Sequence, residues 1–186
     1  MTVPNFITSI RIILTPIFII FLINGESLPA LILFVLAGLS DAADGLIARL
    51  FNQKSKLGAF LDPLADKILL VSAFVMLAVK DHVPPWLTVI VISRDVLILL
   101  GVLILFLNSE DFTLKPSILS KTTTCLQLAT VFAVLSTNHF STLFPIPTLH
   151  RFSDYLFWAT GLLTIVSGLH YMSHWFRMMG EGPIHD

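Results

Sequence analysis

The sequence between Asp41 and Asp66 reads DAADGLIARLFNQKSKLGAFLDPLAD, within an otherwise strongly apolar chain. Its four acidic residues form two pairs, because Asp41 and Asp44 are three residues apart and Asp62 and Asp66 are four apart. Residues at these spacings share one face of a helix. Four carboxylates gathered at one point would repel one another without a cation between them, and oxygen ligands suit a hard divalent ion. The stretch therefore predicts two neighbouring helices, joined by a polar turn at 52–56, that present a divalent-metal site.

The composition is that of a membrane protein. Of the 186 residues, 55% are hydrophobic and only 12% are charged, and the mean hydropathy is +0.88, whereas a soluble domain carries about 25% charged residues. The length predicts one domain, residues 1–186. The net charge of −1 provides no basic field for nucleic acid, so no nucleic-acid partner is expected. Cys125 is the single cysteine, which excludes an internal disulfide.

The apolar runs predict helices, because they are long and lack the alternation of strands. Each run is close to the roughly 20 residues that a bilayer requires. The predicted fold class is an all-α integral membrane bundle of six transmembrane helices, with a polar metal site open to the cytoplasmic face and an outer loop over 139–151. The predicted spans are Phe6–Ile23, Leu28–Leu50, Gly58–Val79, Pro84–Leu107, Ser117–Leu135 and Phe152–Met172.

The distribution of basic residues predicts the orientation. Six spans place both termini on one side, which also holds the turn at 52–56. Lysine and arginine are more frequent on that side, so the positive-inside rule assigns it to the cytoplasm. The sequence has no internal repeat, which disfavours a duplicated transporter fold. The compared residues are Arg49, Lys54, Lys56, Lys115, Lys121 and Arg177 on one side, and Lys80 and Arg151 on the other.

Several charged residues fall inside the predicted spans, where ionisable groups are costly and usually functional. Arg94 and Asp95 lie about midway along the fourth span. They are interpreted either as a buried ion pair or as two residues with separate partners, since adjacent helical residues point in different directions. Lys121 and Arg11 are open to a second interpretation as side chains that reach the membrane interface. A structural salt-bridge network is the alternative for the four aspartates, with Arg11, Arg49 and Lys67 as the bases.

Small residues accompany the first acidic pair. Gly45 follows Asp44, and Ala48 lies about one turn further on, beside Arg49. Such residues let a backbone or a ligand approach a helix closely. The groove suits a ligand that carries phosphates, and close helix packing is the alternative.

The pattern Asp41-x2-Asp44-Gly45-x2-Ala48-Arg49-x8-Gly58-x3-Asp62-x3-Asp66 resembles the full signature of the CDP-alcohol phosphatidyltransferases, at every fixed position. The resemblance covers about the first two-thirds of the chain, and the last span adds little to it. Four segments resemble the branch of the family that makes phosphatidylglycerophosphate and cardiolipin. They are Pro4-Asn5-x-Ile7-Thr8-x2-Arg11, Asp62-Pro63-Leu64-Ala65-Asp66-Lys67, Ile92-Ser93-Arg94-Asp95 and Lys115-Pro116-Ser117-x2-Ser120-Lys121-x2-Thr124-x2-Gln127.

The resemblance implies a reaction in which an alcohol attacks the β-phosphorus of CDP-diacylglycerol and releases CMP. It implies two divalent cations, Mg²⁺ or Mn²⁺, a homodimer, and a bacterial inner membrane with the site facing the cytoplasm. Asp66 is also implied as the catalytic base. The implied metal ligands are Asp41, Asp44, Asp62 and Asp66, and the implied CDP-binding residues are Asn5, Thr8, Gly45, Ala48, Arg49 and Gly58.

The acceptor alcohol is less strongly indicated. Arg94 and Lys121 are candidates for binding its phosphate, which suits glycerol 3-phosphate. That acceptor is placed slightly ahead, because the resemblance implies it as the family's commonest bacterial role. Asp95 stands where many bacterial phosphatidylglycerophosphate synthases have glutamate, and 96–107 contains no base. These departures favour the alternative acceptor, phosphatidylglycerol, used by cardiolipin synthases. Two functions of other classes stay open, a membrane metal-ion carrier and a non-catalytic scaffold.

Overall fold

The protein consists of helices joined by short turns in the part that the computed structural model describes. That part comprises the backbone of residues 3–51, 56–108, 118–143 and 147–180, and the side chains of residues 11–40, 67–101, 118–140 and 153–173. Within these ranges there are six helices and no strand, so the predicted all-helical fold is confirmed. The helices are α1 Val3–Ile23, α2 Ser27–Phe51, α3 Lys56–Val79, α4 Pro85–Asn108, α5 Ile118–Leu143 and α6 Pro147–Gly180.

The last two helices are longer than predicted. Helix α5 continues to Leu143 instead of ending at Leu135, and α6 begins at Pro147 instead of Phe152. The predicted outer loop over 139–151 is therefore wrong at both ends. Hydropathy marks only the apolar part of a helix, and α5 continues through polar residues beyond that part. Thr137 is accommodated there because its Oγ1 donates to a carbonyl one turn earlier, at 2.5 Å.

Two described turns join helices at the same end of the bundle. Gly25 ends α1 at φ 78° and Asp81 ends α3 at φ 58°. Each turn has the paired backbone hydrogen bonds of a Schellman motif, which requires a left-handed residue at this position. The ammonium of Lys80 donates to the Ile23 carbonyl at 2.8 Å, so the ends of α1 and α3 are tied together.

Packing divides the helices into two groups. Helix α1 packs against α2 and α3, whereas α6 packs against α4 and α5, and α5 also contacts α2. The largest fully buried apolar side chains include Phe18, Phe74 and Leu135. Helix α6 approaches α4 closely at Gly161, where an added Cβ would lie 2.6 Å from Cζ3 of Trp86. A side chain at 161 would therefore displace Trp86.

The distribution of polarity is the reverse of that in a water-soluble bundle. Large apolar side chains face outward along every helix, and polar side chains face one another inside. An apolar exterior with hydrogen-bonding groups between helices is the arrangement that a lipid environment favours. In the described residues, one stretch, Ile118–Phe140 of α5, meets the length and hydropathy expected of a membrane span. The buried polar residues are Arg11, Thr15, Thr88, Arg94, Asp95, Thr123, Gln127, Thr130, Thr160, Thr164 and Ser167.

Candidate active site

The acidic pairs lie on helices, as their spacing predicts. Asp41 and Asp44 belong to α2, and Asp62 and Asp66 belong to α3. Their side chains lie outside the described residues, so their ligand roles stay predictions. Among the side chains that are described, no group of three or more histidine, cysteine or acidic residues could hold a metal. The predicted CDP-binding side chains, at Asn5, Thr8, Gly45, Ala48, Arg49 and Gly58, also lie outside the described part.

A buried ionic cluster lies between α3 and α4. Asp95 is 2% exposed, and its Oδ1 accepts hydrogen bonds from Lys67 Nζ and from Arg94 Nη1, the latter at 2.7 Å. Arg94 and Asp95 therefore pair directly, although adjacent helical residues point in different directions, because the long arginine side chain folds back. Asp95 also has a second partner, Lys67, which agrees with the alternative interpretation that the two residues have separate partners.

Arg94 also connects α4 to the last two helices. Its Nη2 donates to Ser120 Oγ at 2.5 Å and to Ser167 Oγ at 3.2 Å. The guanidinium is buried, with 3% of the residue exposed. Lys121, predicted to act with Arg94, is exposed on the first turn of α5, next to the serine that Arg94 contacts. The structure thus brings Arg94 to the start of α5, while Lys121 faces outward.

The cluster carries a net charge of +1, from Lys67, Arg94 and Asp95 together. Two of its buried polar atoms, Arg94 Nε and Asp95 Oδ2, have no hydrogen-bond partner among the described residues. One is a donor and the other an acceptor, and unpaired buried groups of this kind call for an explanation. Lys67 directly follows Asp66, the predicted catalytic base, in the sequence of α3.

A polar seam, formed by Gln127 and Thr130 of α5 and Thr160 and Thr164 of α6, continues from the cluster. Gln127 Nε2 donates to Thr164 Oγ1 at 3.1 Å, and the hydroxyls of Thr130 and Thr160 lie 2.7 Å apart. Thr130 and Thr164 each donate their own hydroxyl proton to a backbone carbonyl, at 2.8 Å and 2.6 Å. Thr160 must therefore be the donor to Thr130. Every hydroxyl proton of the seam therefore has an acceptor, and two side-chain hydrogen bonds hold α5 and α6 together. We call this pair of hydrogen bonds the clamp.

Replacing Thr164 by valine tests this clamp. The buried amide of Gln127 loses its one partner in the described part of the chain, and we expect a loss of about 1 kcal/mol in stability. Thermal unfolding of the purified protein in detergent measures the loss. Combining Thr164→Val with Gln127→Leu should recover part of it, because no donor is then left unpaired. Additive losses in the double variant would contradict the clamp.

Arg11 lies in the interior of the bundle. The residue is 2% exposed, and its carbonyl accepts the hydroxyl of Thr15 at 2.9 Å. This burial is inconsistent with the alternative interpretation of Arg11 as an anchor at the membrane interface.

A separate pocket of about 330 Å³ opens at the other end of α5. Its lining includes Asp81, His82, Asn138 and Asp154. Partial burial lowers the pKa of His82, the nearby Lys80 lowers it further, and Asp81 opposes them. The pocket contains none of the predicted site residues, so it is distinct from the Asp95 cluster.

The last helix contributes to the surroundings of the buried charges. It supplies Ser167 to Arg94 and Thr164 to Gln127, although the last span adds little to the family resemblance. The spacing of Thr160, Thr164 and Ser167 places all three on one face of α6, and this pattern was the available signal. Gln127 and Ser120 were noted only as part of the family resemblance.

The apolar exterior, the buried charges and the acidic helix pair together define a helical membrane protein with a polar interior site. The chain belongs to the CDP-alcohol phosphatidyltransferase family, whose defining pattern matches residues 1–166. The resemblance inferred from the acidic stretch is therefore confirmed. It extends into α6, beyond the two-thirds of the chain estimated from the motifs.

Relatives of both predicted kinds are similar to the chain. It is 35% identical to the CDP-diacylglycerol–glycerol-3-phosphate 3-phosphatidyltransferase of Bacillus subtilis, over 91% of this chain and 93% of that protein. It is 40% identical to the human cardiolipin synthase (CMP-forming), over 75% of this chain. The probable cardiolipin synthase of Drosophila melanogaster is 35% identical, over 92% of this chain. The chain spans only 52% of the human relative and 57% of the fly relative.

Proposed function

We propose that this chain is a phospholipid-synthesising enzyme that transfers a phosphatidyl group from CDP-diacylglycerol to a glycerol-type acceptor. The acceptor oxygen forms a bond to the β-phosphorus, the bond from that phosphorus to the bridging oxygen breaks, and CMP leaves with the bridging oxygen. The acceptor's hydroxyl proton passes to the carboxylate of Asp66. The observation that carries the proposal is the complete acidic signature, on a chain that matches the family over residues 1–166.

The donor set fits two divalent cations. Asp41, Asp44, Asp62 and Asp66 offer only carboxylate oxygens, and each pair shares a helix face, which suits Mg²⁺ or Mn²⁺. When bound, such cations would neutralise charge on the diphosphate and its leaving oxygen. Gly45, Ala48, Arg49 and Gly58 would line the CDP pocket, with Asn5 and Thr8 as hydrogen-bonding residues. The protein's main contribution is then positioning and charge stabilisation, which phosphoryl-type transfer requires.

The acceptor site is assigned to the region of Arg94 and Lys121. Arg94 is held between α4, α5 and α6, next to the helix that carries Asp66. The two candidate acceptors, glycerol 3-phosphate and phosphatidylglycerol, share a glycerol hydroxyl and a phosphate. The first is placed slightly ahead as the acceptor of the family's commonest bacterial role, and relatives named for both activities match the chain.

The setting that we propose is a six-span, single-domain protein of a bacterial inner membrane, with the acidic site facing the cytoplasm. The apolar exterior of all described helices supports the spans. A homodimer is part of the proposal and would appear as twice the protein mass in light scattering after detergent correction.

The decisive experiment is CMP release by purified protein from CDP-diacylglycerol with each acceptor and Mg²⁺. We expect release that depends on an acceptor, is lost with EDTA, and returns when Mg²⁺ or Mn²⁺ is added. Absence of release with both acceptors, or release unaffected by the chelator, would overturn the proposal. Ion flux through proteoliposomes that lack any lipid substrate would support the metal-ion carrier instead.

A further inference from the structure

The region proposed to bind the acceptor contains a carboxylate, although a negatively charged group does not attract a phosphate. Asp95 lies between the two cations, Lys67 and Arg94, and contacts both. It is 2% exposed, and burying a carboxylate is costly unless cations compensate it. One anion shared by two cations leaves a net charge of +1. Lys121 is not counted in this balance, because its side chain is exposed on the first turn of α5.

We propose that Asp95 determines acceptor specificity, by limiting the charge of the Lys67–Arg94–Asp95 cluster to +1, so that the site takes a phosphodiester monoanion in preference to a phosphomonoester dianion. A phosphomonoester carries about −1.5 to −2 at pH 7, and a diester carries a single charge. The cluster neutralises the diester fully and leaves excess negative charge on the monoester. The inference rests on the proposed phosphatidyl transfer and places phosphatidylglycerol ahead of glycerol 3-phosphate as the acceptor.

Two buried polar atoms of the cluster have no hydrogen-bond partner among the described residues, and they match the groups of a phosphodiester acceptor. Arg94 Nε is a buried donor and suits a phosphate oxygen, whereas Asp95 Oδ2 is a buried acceptor and suits a hydroxyl. A glycerol phosphodiester offers both groups. Lys67 is 22% exposed at its side chain, so the cluster is not closed to an approaching ligand.

Three acceptors that differ in charge and in acyl chains test the inference with the unmodified protein. They are phosphatidylglycerol in mixed micelles, its deacylated form glycerophosphoglycerol, and glycerol 3-phosphate. We expect kcat/KM for at least one diester to exceed that for the monoester by about tenfold or more, since uncompensated charge in a buried site is costly. Use of glycerophosphoglycerol would assign the preference to charge, and use of phosphatidylglycerol alone would add a requirement for acyl chains. A monoester used as well as both diesters would overturn the inference.

Two substitutions should shift this ratio in opposite directions. Asp95→Asn raises the cluster charge to +2 and should move the ratio about tenfold toward the monoester, whereas Lys67→Gln lowers it to 0 and should increase discrimination against the monoester. A merely structural role for Asp95 would lower both activities without changing their ratio. Asp154→Asn, at an exposed position of α6, is the matched control and should leave the ratio unchanged.

The outcomes separate the two proposals. An unchanged ratio in a folded Asp95→Asn protein would overturn the role of Asp95. If that variant does not fold, the shift in Lys67→Gln and the three-acceptor comparison decide the question. Lack of CMP release with every acceptor would instead reject the phosphatidyl transfer itself.

Discussion

Replacing Asp66 by asparagine should reduce turnover by about 10²–10⁴-fold, the usual contribution of a general base. Asparagine has nearly the shape of aspartate but cannot accept the hydroxyl proton. The measurement is CMP release at saturating CDP-diacylglycerol and acceptor. Because the base acts on the acceptor, binding of CDP-diacylglycerol should remain measurable by calorimetry in detergent.

Asp154→Asn is the control for this prediction, since it makes the same chemical change at an exposed residue of α6. It should leave turnover unchanged. Near-normal turnover in Asp66→Asn would reject Asp66 as the base. Loss of both turnover and CDP-diacylglycerol binding would indicate that Asp66 acts only as a metal ligand, since the metal ions would also bind the diphosphate of CDP-diacylglycerol.

Replacing Asp95 by alanine should cause the largest loss of stability, about 3–5 kcal/mol, because removing one partner of a buried ionic cluster leaves uncompensated charge. Lys67 and Arg94 would both lose the carboxylate oxygen that they share. Thermal unfolding in detergent and the yield of monodisperse protein measure the effect.

Smaller losses of stability are expected for variants that keep some of the cluster's hydrogen bonds. Lys67→Met leaves Asp95 paired with Arg94, and Asp95→Asn keeps an oxygen with two lone pairs that can accept from both cations, although it loses the negative charge. Asp154→Ala, at an exposed site, should be within about 0.5 kcal/mol of the unmodified protein. An Asp95→Ala protein that unfolds at the same temperature as the Asp154→Ala protein would show that the cluster contributes nothing to stability.

The family and the helices could be predicted because the relevant signals are local. Spacings of three and four residues place the aspartates on helix faces, and the lengths of the apolar runs indicate the helices. The ends of α5 and α6 were less predictable. Helix α5 continues beyond its apolar part through polar residues such as Thr137, whose hydroxyl bonds to its own helix, and Pro147 is well suited to the first position of α6.

Most partners of the buried charges could not be predicted from the sequence. The pairing of Arg94 with Asp95 is one of the two interpretations that the sequence leaves open, but no local pattern indicates Ser120 and Ser167 as further partners of Arg94. Lys67 had been weighed only as part of a network with the four aspartates. Its observed partner is Asp95, which lies on the next helix.

The sequence by itself determined the class of the protein, its acidic helix pair and the presence of charges within apolar helices. The reason is that composition and short spacings act within one or two helical turns. Only the tertiary structure decided that Asp95 joins two cations and that α6 completes the surroundings of Arg94. These partners are 28 residues apart for Lys67 and Asp95, and 73 apart for Arg94 and Ser167. Contacts over such separations depend on how the helices pack, which no local pattern specifies.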